Sequence, residues 1–94
     1  MRIFWSAAAQ ADLGRLYSFL ADVYANTADE TLDRLIAAPE ALTDFPRRGS
    51  RLSEFDPREV REFRVAKYLL RYELAEAKII VLRVFHARED RSLP

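Results

Sequence analysis

The sequence has 94 residues, 15 Lys+Arg balanced by 15 Asp+Glu, one His, no Cys and two Gly. That length holds one hydrophobic core, and the apolar half of the residues is too large a share for a disordered tail. Without cysteines there are no disulfides, thiolate metal sites or Cys nucleophiles; Gly14 and Gly49 are too far apart for a GxxxxGKS phosphate loop, and two glycines are too few for a GxGxxG turn. A single His excludes a His-rich metal site. No apolar run approaches the ~18 residues of a membrane helix, and the start lacks a signal-peptide layout. The expectation is one soluble cytoplasmic domain spanning 1–94, with no cofactor or metal.

Met1 to Trp5 is a short β-prone run that ends at Ser6, a good N-cap for a helix. From Ala7, apolar residues recur at 9, 13, 16, 17, 20 and 24, the spacing of one buried stripe. Gly14 either costs this helix about 1 kcal/mol relative to Ala or marks a close approach. Asn26 suits a C-terminal turn, and Thr27-Ala-Asp-Glu30 reads as a capping box for a second helix. The stripe of that helix is Leu32, Leu35, Ile36, Pro39 and Leu42. Pro39 lacks the amide that would bond the Leu35 carbonyl, so the helix kinks or stops there.

Phe45 to Ser50 ends the helical hairpin, and Pro57 keeps the next stretch irregular. The period then changes to 2. Residues 61–66 form one strand candidate. A second, 68–75, puts Tyr68, Leu70, Tyr72 and Leu74 on one face and Leu69, Arg71 and Glu73 on the other. After a turn at Glu76-Ala77-Lys78, Ile79 to His86 is apolar on both faces: Ile80, Leu82 and Val84 against Ile79, Val81 and Phe85. Such a strand is buried on both sides, and the helices can cover only one. The fold class is α+β: an N-terminal strand and a helical hairpin packed on a mainly antiparallel sheet, closed by a three-stranded C-terminal meander.

Zero net charge conceals an asymmetry. Residues 1–46 carry seven acids against three bases, and residues 47–71 eight bases against four acids. Only the middle third offers the positive excess that nucleic-acid binding draws on.

Several strings in this order resemble the ParE branch of the ParE/RelE superfamily of bacterial type II toxins. They are Trp5-Ser6, Ala11-Asp12-Leu13, Leu16-Tyr17, Phe19-Leu20 and the turn Phe45-Pro46-Arg47-Arg48-Gly49. The closing strands add Arg61-Glu62-Phe63, Tyr68-Leu69-Leu70-Arg71-Tyr72 and Ile80 through Asp90. Pro39 departs from the uninterrupted second helix of that pattern. The resemblance implies a toxin neutralised by a cognate ParD-like antitoxin in a hetero-oligomer. That antitoxin is a ribbon-helix-helix protein that contacts operator DNA, so the toxin meets DNA only indirectly. The implied target of the ParE branch is DNA gyrase, bound directly. RelE-like relatives instead cut mRNA on the ribosome, and a non-toxic interaction domain is a third reading.

An endonuclease would need cations around phosphate and a proton-transfer group near pH 7. Arg64, Arg71, Arg83 and His86 are the candidates, but His86 falls on the opposite parity from Arg83. The tyrosine and middle-strand arginine of the RNase relatives have no counterpart here, so a binding protein is the leading reading and no catalytic residue is expected. Ser50, Ser53 and Asp56 lack a nucleophile-elbow string, and Glu54, Asp56, Glu59 and Glu62 are interleaved with Arg58 and Arg61; neither a hydrolase nor a divalent-ion site is expected. For the antitoxin interface the expected residues are Phe63, Val65, Leu69, Ile79, Val81 and Phe85, an apolar stripe facing away from the helices. Arg58, Arg61 and Arg64 would receive its acidic groups, and Asp12, Asp22 and Asp29 its basic ones. Target contacts are expected among Arg83, His86, Arg88 and Arg91, clustered where the closing strand ends.

Overall fold

Ser6 ends the first strand, β1 (Arg2–Trp5), and opens helix α1 (Ala7–Val23). In a computed structural model, which describes residues 1–89, its hydroxyl accepts the Ala9 amide at 3.0 Å and donates to the Leu82 carbonyl at 2.9 Å. One side chain thus caps α1 and ties it to the closing strand. Ala9, Asp12, Leu16 and Leu20 form the buried line of α1. Tyr24, at the end of the expected stripe, is exposed because the helix stops at Val23. Nothing lies within 4 Å of a Cβ built on Gly14, so its cost is helix propensity and not a close approach.

The expected capping box does not form. Thr27 makes no side-chain bond to helix α2 (Ala28–Ala37); its hydroxyl turns back to the Tyr24 carbonyl. Asp29 and Glu30 still place negative charge at the positive end of the helix dipole. Pro39 acts as expected: α2 stops at Ala37 and the chain tightens into a 3₁₀ turn over Ala38–Leu42. Leu35, Pro39 and Leu42 are buried, whereas Ile36 is rotated out to solvent.

The remaining strands are β2 (Ser50–Arg51), β3 (Glu59–Val65), β4 (Tyr68–Ala75) and β5 (Lys78–His86). They form one sheet in the order β1-β5-β4-β3-β2, with β1 parallel to β5 and every other pair antiparallel. This is the expected α+β architecture with its closing meander. Glu76 and Ala77 both have positive φ, 52° and 61°, giving the two-residue turn whose twist suits a hairpin.

Between β4 and β5 the register slips by one residue. Arg71 opposes Arg83 but Tyr72 opposes Val81, so Leu82 is an inserted residue, a β-bulge. Strict alternation along β5 therefore fails. Ile79, Val81 and Val84 point toward the helices, in register with Leu74, Tyr72 and Leu70. Ile80, Arg83 and Phe85 point away, in register with Glu73, Arg71 and Leu69. Under the helices the core joins Leu16, Leu20 and Leu35 to Tyr68, Leu70, Val81 and Val84. A second cluster of Leu42, Tyr72 and Ile79 closes its lower end.

Candidate functional site

The sheet face away from the helices consists of three rows of side chains. The first runs Phe4, Ile80, Glu73, Val60; the second Arg83, Arg71, Glu62, Ser50; the third Phe85, Leu69, Arg64. No helix covers them, yet much of this face is closed. Phe85 is only 3 % exposed. The guanidiniums of Arg71 and Arg83 stand over its ring, 5.2 and 4.9 Å from the centroid. Arg71 also lies 5.3 Å from the Phe55 ring, in the 3₁₀ turn Ser53–Phe55. Planar guanidinium groups stack on aromatic faces while keeping hydrogen-bonding edges, so arginines serve here as the lid of an aromatic cluster.

Charge on this face is matched locally. Arg71 pairs with Glu62 at 3.2 Å, and Arg58 grips Glu73 with two bonds of 3.1 and 2.8 Å. Arg83 reaches the edge of β5 and donates to both oxygens of Asp12, at 2.8 and 3.0 Å. The same carboxylate accepts the Val84 amide at 2.9 Å and a bond from Arg15. β1 ends opposite Val81, so beyond that point Asp12 takes the place of a neighbouring strand on the β5 edge. Burial alone would raise the Asp12 pKa, but the Arg83, Val84 and Arg15 bonds outweigh it and hold the carboxyl below its ordinary value.

Several expected site residues lie elsewhere. Ile79 and Val81 are fully buried under the helices, because the Leu82 bulge follows them and the β1 pairing fixes them inward. Phe63 and Val65 also share the helix face, partly buried against the core. Phe85 and Leu69 do lie on the far face, Leu69 half-buried. The expected apolar stripe is therefore much shorter than alternation implies. Asp12 is buried and bound to Arg83, so it offers no charge to a partner; Asp22 and Asp29 are exposed. Of the three expected rim arginines, Arg58 is paired with Glu73, and Arg61 bonds Glu59 and the Gly49 carbonyl. Arg64 is exposed and donates to the Ala66 carbonyl.

Arg64, Arg71 and Arg83 do share one face, whereas His86 is in register with Tyr68 on the other. Its ring packs edge-on against Tyr68, and its Nδ1 accepts the Arg88 amide at 3.2 Å. Arg88 is exposed just past β5, and Arg91 lies outside the described residues. The structure thus divides the four endonuclease candidates between the two faces of the sheet. The sequence reading missed Phe4 and gave Asp12 another role, as a contact for basic antitoxin groups. Phe4 projects from β1 beside Ile80, flanked by Arg2 and Lys78. Asp12 was visible in principle, since an acid one turn from Ala9 and Leu16 sits on the buried stripe and needs a cationic partner.

The sequence matches the family model of the ParE toxin of type II toxin-antitoxin system, parDE, over residues 3–91. The chain belongs to the ParE toxin family. The fold is similar to that of a solved structure described as the chromosomal ParDE TA system from P. aeruginosa. The TM-score is 0.76 at 18 % sequence identity, over 92 % of this chain and 95 % of that one. No curated protein matches the sequence at a significant level. As a ParE-family protein the chain is a toxin component of a type II toxin-antitoxin system. No helix among the described residues is long and apolar enough to cross a membrane.

Proposed function

We propose that this ParE-family toxin acts in the cytoplasm by binding a protein, DNA gyrase, and has no ribonuclease activity. We further propose that a cognate ParD-like antitoxin neutralises it by covering the sheet face opposite the helices. One observation carries the first part: two of the three arginines a ribonuclease would present to phosphate, Arg71 and Arg83, are engaged by carboxylates, and His86 is on the other side of the sheet. Asp12 takes two bonds from Arg83, and Glu62 pairs with Arg71. A carboxylate competes directly with phosphate for a guanidinium. Tyr68 and Tyr72 are no substitute for His86, because burial raises both hydroxyls above their ordinary pKa and away from neutral proton transfer.

What supports the antitoxin reading is the composition of the far face. Phe4 and Ile80 in the first row and Leu69 in the third are exposed or half-buried, the Arg83–Arg71 row runs between them, and Arg64 beside Leu69 is exposed. Two apolar patches separated and edged by cations fit a tail that carries apolar side chains with Asp or Glu between them.

The test is a paired assay on purified toxin. Inhibition of gyrase supercoiling, with ribosome-bound mRNA left uncut in a translation extract, is the expected result. Codon-specific cleavage with supercoiling intact would reverse it, and Arg71→Ala and Arg83→Ala would then be the first variants to examine.

A further inference from the structure

The most exposed large apolar side chain in the described structure is not on the sheet. Phe45 is 69 % exposed, at the tip of the turn from Asp44 to Gly49. An exposed Phe alone means little. What distinguishes this one is how firmly its turn is held.

The buried Tyr72 hydroxyl accepts the Gly49 amide at 2.9 Å and donates to the Pro46 carbonyl at 2.7 Å. Arg61 donates to the carbonyls of Gly49 and Arg47, at 2.7 and 3.3 Å. The Arg48 amide closes the turn on the Phe45 carbonyl at 3.0 Å. Gly49 is pressed so close to the sheet that a Cβ there would meet the Glu62 carbonyl oxygen at 2.8 Å. Both flanking cations are positioned as well. Arg47 makes two bonds to Glu59, of 2.9 and 3.1 Å, and Arg48 lies 5.8 Å from the Phe63 ring centroid. The turn lines an open depression of about 740 Å³, bounded by Asp44, Phe45, Pro46, Arg47 and Arg48.

We propose that the Phe45–Arg48 turn is a preformed docking knob by which the toxin engages the protein it poisons, seating Phe45 in an apolar pocket with carboxylates at its rim. The inference rests on the reading of this chain as a protein-binding toxin, and it separates the target contact from the antitoxin face. Side chains and backbone that are ordered beforehand lose little entropy on binding, and aromatic anchors flanked by Arg are typical hot spots. Charge complementarity sets the partner's chemistry. Residues 44–48 carry two Arg against one Asp, and both arginines are exposed. A protein surface fits this better than a nucleic acid, because the chain has no net positive charge. This places the target contact away from Arg83, His86 and Arg88 at the end of β5.

The test begins from the co-purified toxin-antitoxin complex and compares wild type with Phe45→Ala, Phe45→Asp, Phe45→Tyr and Arg47→Glu/Arg48→Glu. Three quantities are read: melting temperature, antitoxin affinity, and the level of toxin, induced alone, that arrests growth. Phe45→Asp and the double charge reversal are expected to need about 30-fold more toxin for arrest. Antitoxin affinity of both should stay within about threefold; the melting temperature of Phe45→Asp should hold, the double reversal should melt somewhat lower for loss of the Arg47–Glu59 pair, and Phe45→Tyr should recover most of the toxicity. Undiminished arrest by Phe45→Asp would overturn the inference and leave the toxin reading intact. An equal loss of antitoxin affinity would assign the knob to the antitoxin instead, overturning it too. Tight binding of a 12-nucleotide single-stranded RNA probe, lost in Phe45→Ala, would make the turn a base-stacking platform and contradict it. A wild-type toxin that arrests nothing would remove the toxin reading and this inference together.

Discussion

The two faces of the sheet solve the same problem by different chemistry. On the helix side, Leu16, Leu20 and Leu35 cover Leu70, Val81 and Val84 with hydrocarbon. On the far side no helix is available, and the Arg71 and Arg83 guanidiniums lie 5.2 and 4.9 Å from the centre of the Phe85 ring while their charges are met by Glu62 and Asp12. The first face gains stability from burial alone, roughly 25 cal/mol per Å². The second gains less, because desolvating ion pairs offsets much of what they contribute, but it stays polar enough to meet water or a partner. One strand, β5, serves both. The lesson is that an apolar pattern on both faces of a strand does not require a second apolar layer; stacked guanidiniums suffice.

The sharpest way to break this contrast is a charge on the helix side. Val81→Asp is expected to cost more than about 4 kcal/mol and to leave the chain unfolded without its partner, seen as loss of cooperative thermal unfolding. The same change at Leu69, on the far face, should cost less than about 1 kcal/mol. Next in size is Asp12→Ala, which strips the Val84 amide and the Arg83 guanidinium of an acceptor that is itself buried. A loss of about 3 kcal/mol is expected, and adding Arg83→Ala should recover part of it, because the partly desolvated cation that faced the lost carboxylate is then gone.

The smallest effect is a pH dependence. Burial would push Asp12 and Glu59 up, but Arg83 and Val84 around the one, and Arg47 and Arg61 around the other, hold both below their ordinary values. The Arg58 bond does the same for Glu73. A carboxyl depressed in the folded state contributes stability that is full above its ordinary pKa and is lost as pH falls through the folded value. Those ordinary values are 3.8 for Asp and 4.5 for Glu. The melting temperature should therefore be level from neutral pH down to about 5 and fall below about 4. Removing Asp12 should flatten part of that fall.

Much of this fold was legible because its signals are local. The Ser6 cap, the α1 stripe and the Pro39 stop each follow from a few neighbouring residues, and alternation along β4 identifies its two faces correctly. The far face was less legible for three reasons. A single bulge at Leu82 reverses the facing of every residue beyond it, and nothing in the composition of Ile79 to His86 announces where it falls. Parity also counted Ile79 and Val81 as surface, although pairing with β1 places them in the core. Finally, the partners of Arg83 and Tyr72 are 71 and 26 residues away in sequence, at Asp12 and Pro46. Contacts at that separation leave no local periodicity.

The central claim is that the face opposite the helices is where the antitoxin lies. It is tested most directly by measuring antitoxin affinity for a Leu69→Asp/Ile80→Asp toxin against wild type, with the melting temperature of each recorded. Both positions are only half-buried on that face, so folding should survive. A fall in affinity of about 100-fold or more, with melting within a few degrees of wild type, is the expected result. Unchanged affinity in a folded variant would contradict the account and move the antitoxin to another surface of the toxin.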